Sequence, residues 1–273
     1  MWRSTVQNAT RGRTTSPPRS KPLSSNVFIA SLKAEYMDLS IRSALPEELD
    51  GPHTDPADYQ QCISELALIN RLTLTHRPTL QWLAQSARGL TEFSFLDVGY
   101  GGGDLLRAIA RWADKRDVKV HLSGIDLNPR SAEAARSATP QGMDIDYMTG
   151  DVFNYDPVLG LPDFIVSSHF THHLTDDGVV EFLRWAEANS LRGWHIADLH
   201  RSAVPFYGFQ LLGAAMGWHR ITVNDGVISI ARAFRRQEWQ TYLDMADLNA
   251  DIFWRMGFRY CVGRRKLLAA ATS

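Results

Sequence analysis

The stretch FLDVGYGGGDLLRAIARW, residues 95–112, decides the fold. A run of β-formers carries an acid at Asp97. Four glycines follow at 99, 101, 102 and 103, and an amphipathic helix then begins. A buried strand running through a tight turn into a helix is half of a crossover unit. The same order repeats on both sides. FSFLDV (93–98) reads as a buried strand and GGDLLRAIARWADK as its helix. VKVHLSGID (118–126) is a strand and PRSAEAARSA a helix. MDIDYMTGD is a short strand and PDFIVSSH (162–169) another. DDGVVEFLRWAEAN is a helix and GWHIADL (193–199) a strand. Strands that alternate with helices imply a mostly parallel sheet covered on both faces, a doubly wound α/β fold.

Outside that core the period changes. DPADYQQCISELALINRLTL puts Tyr59, Cys62, Ile63, Leu66 and Ile69 on one helical stripe, and HRPTLQWLAQSA is a second helix with Pro78 in its first turn. Residues 27–90 therefore read as an N-terminal helical cap and 91–273 as the sheet domain. SAVPFYGFQLLGAAMGWHR reads as a helix. ITVNDGVISIARAFRRQEWQTYLDMA reads as a β-like piece followed by a helix starting near Arg235. ADIFWRMGFRYCVGRR reads as two strands joined at Met256–Gly257, which adds an antiparallel hairpin to a seven-stranded sheet. Residues 202–232 read as an insertion on the sheet's carboxyl edge.

Composition bounds the partners. The chain has 273 residues, is 44% hydrophobic and 22% charged, and carries a net charge of −1. Nothing in that balance draws it to nucleic acid or to an anionic membrane. The apolar run FQLLGAAMGW (209–218) falls short of the roughly 18 residues of a membrane span. Cys62 and Cys261 are far apart and in no metal spacing, so a reducing cytoplasm with two free thiols is expected. The first 26 residues contain no acid and are rich in Arg, Ser, Thr and Pro, so they read as a disordered, solvated tail.

Glycine permits a tight turn and close approach of a ligand to the backbone. A dinucleotide turn, G-x-G-x-x-G, would place its third glycine at 104, but that residue is Asp104, whose charge opposes a pyrophosphate. The actual spacing is D-x-G-x-G-x-G over Asp97, Gly99, Gly101 and Gly103. It suits a ligand with a positive group and no phosphate. Taken singly, Asp126 and Asp151 also suit ordinary helix-start or turn acids, and the glycine cluster of Gly99, Gly101 and Gly103 after Asp97 suits a tight turn.

Together they resemble the first motif of the class I S-adenosylmethionine-dependent methyltransferases. The resemblance covers about 91–199 well. It implies a Rossmann-like methyltransferase domain with S-adenosyl-L-methionine as cofactor and the glycine turn wrapped around its methionine part. It further implies that Asp126 in GIDLNP binds the ribose hydroxyls and that Asp151 in TGDVFN takes the adenine amino group. Leu127 and Val152 would flank the adenine, and the backbone carbonyl of His169 would meet the cofactor's amino group. ADLHRS followed by NDGVISIARAF resembles a bacterial small-molecule subgroup often associated with polyketide pathways.

His169, His172 and His173 follow one strand, and His200 follows the next. Adjacent strand ends open onto one crevice, so these imidazoles are expected to gather there. Three readings stand. His172, His173 or His200 is a general base for a phenol, carboxylic acid or amine acceptor. Alternatively, His169, His172 and His173 hold a metal with a carboxylate such as Asp198. In the third, they position neighbouring groups. The sequence assigns no metal. Ser167-Ser168-His169-Phe170 lacks the prolines of the nucleic-acid amino-methylating motif. Phe206, Tyr207, Phe209, Leu211, Leu212, Met216 and Trp218, with Tyr59, Trp82 and Leu83, suggest an apolar lid. The expected partner is a small apolar or aromatic acceptor, methylated most readily at oxygen in secondary metabolism. A homodimer is compatible. The competing class is a protein of this fold that binds the cofactor without transferring its methyl group.

Overall fold

A computed structural model describes residues 37–51, 53–156 and 160–266. The expected tail at 1–26 and the first ten residues of the expected cap lie outside them. Seven strands form one sheet in the order β3-β2-β1-β4-β5-β7-β6. These are β1 Glu92–Val98, β2 Lys119–Asp126, β3 Asp146–Thr149, β4 Phe164–Ser168, β5 Gly193–Leu199, β6 Asp251–Arg255 and β7 Arg259–Arg265. β1 to β5 are mutually parallel, and β7 runs antiparallel to both β5 and β6. The chain moves outward from β1 to β3, then returns to lay β4 on the other side of β1. The loops after β1 and β4 therefore diverge and leave a crevice at the carboxyl ends of the strands.

Both faces of the sheet are covered. On one, Leu96, Val98, Ile165 and Trp194 pack against Phe182, Leu183 and Trp239. These belong to the helices α5 (Asp176–Asn189) and α8 (Arg236–Ala246). On the other, Phe93, Phe95 and Phe164 pack against Leu83, Leu106 and Ile109, carried by α2 (Arg77–Ser86) and α3 (Asp104–Asp114). Alternate residues of β1 thus feed opposite layers, as the period-two pleat requires. Local chemistry starts the helices. Asp55 caps α1 (Pro56–Leu72), Asn128 caps α4 (Pro129–Ala138) and Thr175 caps α5, each accepting from a backbone N–H in the first turn.

One expectation changes. Residues 220–232 are not β-like but form helix α7 (Arg220–Arg232). The β-branched Ile221, Thr222, Val223, Val227, Ile228 and Ile230 bias the window toward strand. Burial of Ile221, Asp225, Ile228 and Ser229 at helical spacing outweighs that bias. The packing of α7 against α6 (Ala203–Met216) needs glycine: a Cβ at Gly226 would overlap the Phe209 ring. Of the two N-terminal helices, α2 also packs directly on the sheet. Trp82 meets Phe164 edge to face at 5.6 Å, and Thr79 and His195 lie 3.4 Å apart.

Candidate functional site

β1 delivers the glycine turn to the crevice. Gly99, Gly101 and Gly103 all have positive φ, at 72°, 51° and 70°. Only glycine takes that conformation without strain. Their surroundings differ. A Cβ at Gly99 would sit 2.8 Å from Phe170, and one at Gly103 would sit 2.7 Å from Tyr147. A Cβ at Gly101 would meet nothing within 4 Å, so this residue faces open space. Gly103 caps α3 and packs on Tyr147. It is not among the residues lining the cavity described below.

Asp97 is 2% exposed, and its Oδ1 has no hydrogen-bond partner among the described residues. Burial, with the charges of Asp104 and Asp126 nearby, pushes its carboxyl well above the usual range. Asp126 ends β2. Its Oδ2 accepts from Gly101 N–H and its Oδ1 from Asn128 N–H, both at 2.8 Å. A carboxylate has about four lone-pair sites, so further acceptor capacity remains. Asp151 accepts from Phe153 N–H at 3.0 Å at the start of the turn Val152–Asn154. Leu127 is 74% exposed while Val152 is buried. Asp104 is engaged with His76 at 2.9 Å and Asn70 at 3.0 Å. Burial would raise it, but these bonds outweigh burial and hold it below its ordinary value.

The β4 loop carries the histidines. His169 has φ 55°, and its buried Nε2 has no partner among the described residues. Burial, then the Arg259 charge, lowers its pKa to about 3, so the ring is neutral. His172 is 2% exposed; its Nδ1 meets Asp198 Oδ1 at 2.7 Å, and its N–H donates to Asp198 Oδ2 at 3.0 Å. Its Nε2 lies 3.5 Å from Glu47 Oε1 without hydrogen-bond geometry. Burial would lower His172, but Asp198 and Glu47 hold it up to about 9. His173 meets Asp50 Oδ2 at 2.8 Å through Nδ1, and its Nε2 lies 3.8 Å from Glu47 Oε1. Burial works against the Glu47 charge, yet the two histidines draw that carboxyl down to about 2.

Asp198 is not available as a metal ligand. It is fully buried, and Thr171 Oγ1, His172 and Leu199 N–H already occupy its oxygens. His200 does not join the other imidazoles either. The hairpin of β6 and β7 adds beside β5, and His200 settles on it: Nδ1 accepts from Trp254 Nε1 at 3.3 Å, and the ring meets Tyr260 edge to face. Of the expected lid, Tyr59, Phe209 and Leu212 line the cavity, while Leu83 and Phe206 are buried core and Leu211 is exposed.

One cavity of about 1600 Å³ unites these parts. Asp97, Gly99, Gly101, Asp126, Leu127, Asp151, Val152 and His169 line it, and so do Glu47, His172 and His173. Sequence reading missed Arg259, which also lines it. Arg259 is 1% exposed, its Nε and Nη1 have no partner, and it forms no ion pair among the described residues. Asp97 thus offers the cavity an unpartnered carboxyl oxygen and Arg259 two unpartnered N–H groups, the chemistry that an ammonium and a carboxylate would engage. The open space at Gly101 and the spare acceptors of Asp126 fit the rest of the nucleoside-bearing ligand. No signal in the sequence marked Glu47, Asp50 or Arg259, because each reaches the site from a segment remote from the strand-end motifs.

Residues 95–189 match the sequence family described as "Methyltransferase domain". A ubiquinone biosynthesis O-methyltransferase of Erwinia tasmaniensis is 32% identical over 99 residues, 36% of this chain and 38% of that protein. A protein of the same description from Histophilus somni is 44% identical over 69 residues, 25% of this chain and 26% of that protein. The chain thus matches well under half the length of these relatives. Among solved structures, the plantazolicin methyltransferase BpumL in complex with SAH is similar with a TM-score of 0.61 at 13% identity, over 87% of this chain and 99% of that one. A SAM dependent methyltransferase from Aquifex aeolicus gives 0.54 at 17% identity, over 78% and 98%. At these identities the structural likeness is one of fold.

Proposed function

We infer that this chain, whose domain over residues 95–189 belongs to the class I S-adenosylmethionine-dependent methyltransferases, methylates a small apolar or aromatic acceptor at oxygen. The observation that carries this reading is the cavity at the switch point, with the unpartnered, buried Asp97 on its wall. A buried carboxyl without donors is costly unless a cationic donor arrives. We assign Asp97 to the ligand's ammonium and Arg259 to its carboxylate. Gly99 and Gly101 let the backbone follow it. Asp126 takes the ribose hydroxyls, Asp151 the adenine amino group, and Leu127 and Val152 flank the ring. The His169 carbonyl meets the amino group of the methionine part.

When bound, the cofactor supplies a methyl group on a sulfonium, whose sulfur leaves as a neutral thioether. The protein's work is then alignment, exclusion of water and handling of the acceptor's proton. Leu72, Leu74, Val204, Leu212 and Met256 line the cavity and are exposed, an apolar rim suited to an apolar guest. Glu47, His172 and His173 are the titratable groups we assign to the acceptor's hydroxyl. His200 is left out by its position. The sequence relatives are named for O-methylation, which supports oxygen as the receiving atom. Secondary metabolism is supported by the sequence resemblance, and a cytoplasmic setting by the free, buried Cys62 and Cys261.

The test is methyl transfer from labelled cofactor to a panel of phenols, carboxylic acids and amines, scored by release of S-adenosylhomocysteine. Release with phenolic acceptors, lost in Asp97→Asn, is expected. Cofactor binding with no transfer to any oxygen, nitrogen or carbon acceptor would favour the non-methylating alternative.

A further inference from the structure

We propose that Glu47, His172 and His173 form a binding site for one divalent transition-metal ion on the cavity wall. One ligand atom from each of the three lies within 4.8 Å of the others. Glu47 Oε1 stands 3.5 Å from His172 Nε2 and 3.8 Å from His173 Nε2. Two ligand atoms each about 2.1 Å from a tetrahedral ion lie roughly 3.4 Å apart. Small side-chain movements therefore bring the three to coordinating distance.

The outer partners point the same way. Both histidines use Nδ1 toward a carboxylate, His172 toward Asp198 and His173 toward Asp50. A carboxylate on one ring nitrogen fixes the tautomer that leaves the other nitrogen's lone pair free for a metal. His172 Nε2 is buried and faces Glu47 without a hydrogen-bond partner among the described residues; an incoming ion takes its lone pair by displacing the proton there to solvent. Ser229 Oγ donates to Glu47 Oε1 at 2.9 Å. The backbone is also held. Arg232 donates to the carbonyls of both His172 and His173, and Arg42 to that of His172. Two imidazoles and one carboxylate are a ligand set for zinc and its neighbours, and they leave coordination positions open.

All three residues line the cavity, so those open positions face the acceptor. An ion there would polarise an acceptor hydroxyl and release its proton to solvent. The oxygen lone pair then forms the bond to the methyl carbon, and the carbon–sulfur pair returns to sulfur. This use of the ion rests on the proposed methyl transfer; the binding of the ion does not.

The experiment titrates tag-free, chelator-treated full chain with Co2+, followed by visible absorption, and with Zn2+ by calorimetry. Cofactor binding is measured separately on the same preparations. One ion per chain is expected, with the absorption of an N/O-ligated site. Glu47→Gln and His173→Ala should abolish it. Asp50→Asn, at an exposed outer partner, should weaken it about 10–100-fold. His200→Ala should leave it unchanged. No saturable uptake, or uptake indifferent to Glu47→Gln and His173→Ala in folded variants, overturns the proposal. Either result leaves the cofactor reading intact if S-adenosylmethionine still binds.

Discussion

Asp97 sits near the end of β1, and no donor among the described residues reaches its Oδ1. In the free protein its raised pKa favours the protonated form. On the proposed assignment an ammonium beside it favours the ionised form, so cofactor binding should release a proton. Affinity should therefore strengthen as pH rises toward the raised pKa of the free state. Calorimetry in buffers of different ionisation enthalpy would read that proton directly. Asp97→Asn should remove it and weaken binding about 10–100-fold, the range for hydrogen bonds to charged groups. The stability effect has the opposite sign. A folded pKa above the unfolded one favours the fold at low pH and costs stability as pH rises through that window. Asp97→Asn should thus keep or raise the melting temperature of the free protein at neutral pH. Asp198 behaves otherwise. Burial would raise it, but His172 holds its carboxyl far below the carboxylate range. Asp198→Ala should cost about 3–5 kcal/mol in denaturant unfolding, the cost of stranding a buried charge. The strand-end acids Asp97, Asp126 and Asp151 were legible because their order fixes their place in an α/β sheet. Glu47 and Arg259 were not, since their contacts to the site are long-range. His200 misled because sequence cannot say toward which neighbour of β5 a side chain leans.

At the scale of elements, the glycine turn separates two duties. Gly99 gives Phe170 room, whereas Gly101 leaves space with no protein atom near. Gly99→Ala should destabilise by about 1–3 kcal/mol through overpacking, in addition to the strain of a positive φ. Gly101→Ala should cost about 1–2 kcal/mol, the left-handed strain alone, yet should disturb cofactor binding more than its stability loss accounts for. Melting curves beside calorimetric titrations of both variants would separate the two effects. The strands and most helices were legible because their periods are clean and their caps are ordinary. DDGVVEFLRWAEAN and GWHIADL match α5 and β5 in full. Helix α7 was not, because its β-branched residues carry a local bias that only tertiary burial reverses. The placement of α2 in the sheet layer was likewise invisible, since an amphipathic stripe does not name the surface it covers.

At the scale of the molecule, the reversal of strand order between β1 and β4 creates the crevice, and distant segments complete it. Helix α1, the 47–50 loop, α6, α7 and the β6–β7 hairpin all contribute walls. The parallel half carries the strand-end acids Asp97 and Asp126 and, just after β3, Asp151, and the added segments supply the apolar rim and the Glu47 cluster. The antiparallel hairpin also brings Arg259 inside, where its orphaned donors await an anion. The central claim is that this cavity binds S-adenosylmethionine through Asp97 and the glycine turn. Calorimetric titration of the purified chain with S-adenosylmethionine, and in parallel with NADH, tests it most directly. The account predicts saturable one-to-one binding of S-adenosylmethionine with proton release, and no binding of NADH. Absence of S-adenosylmethionine binding by the folded chain, or binding of NADH in its place, would contradict it.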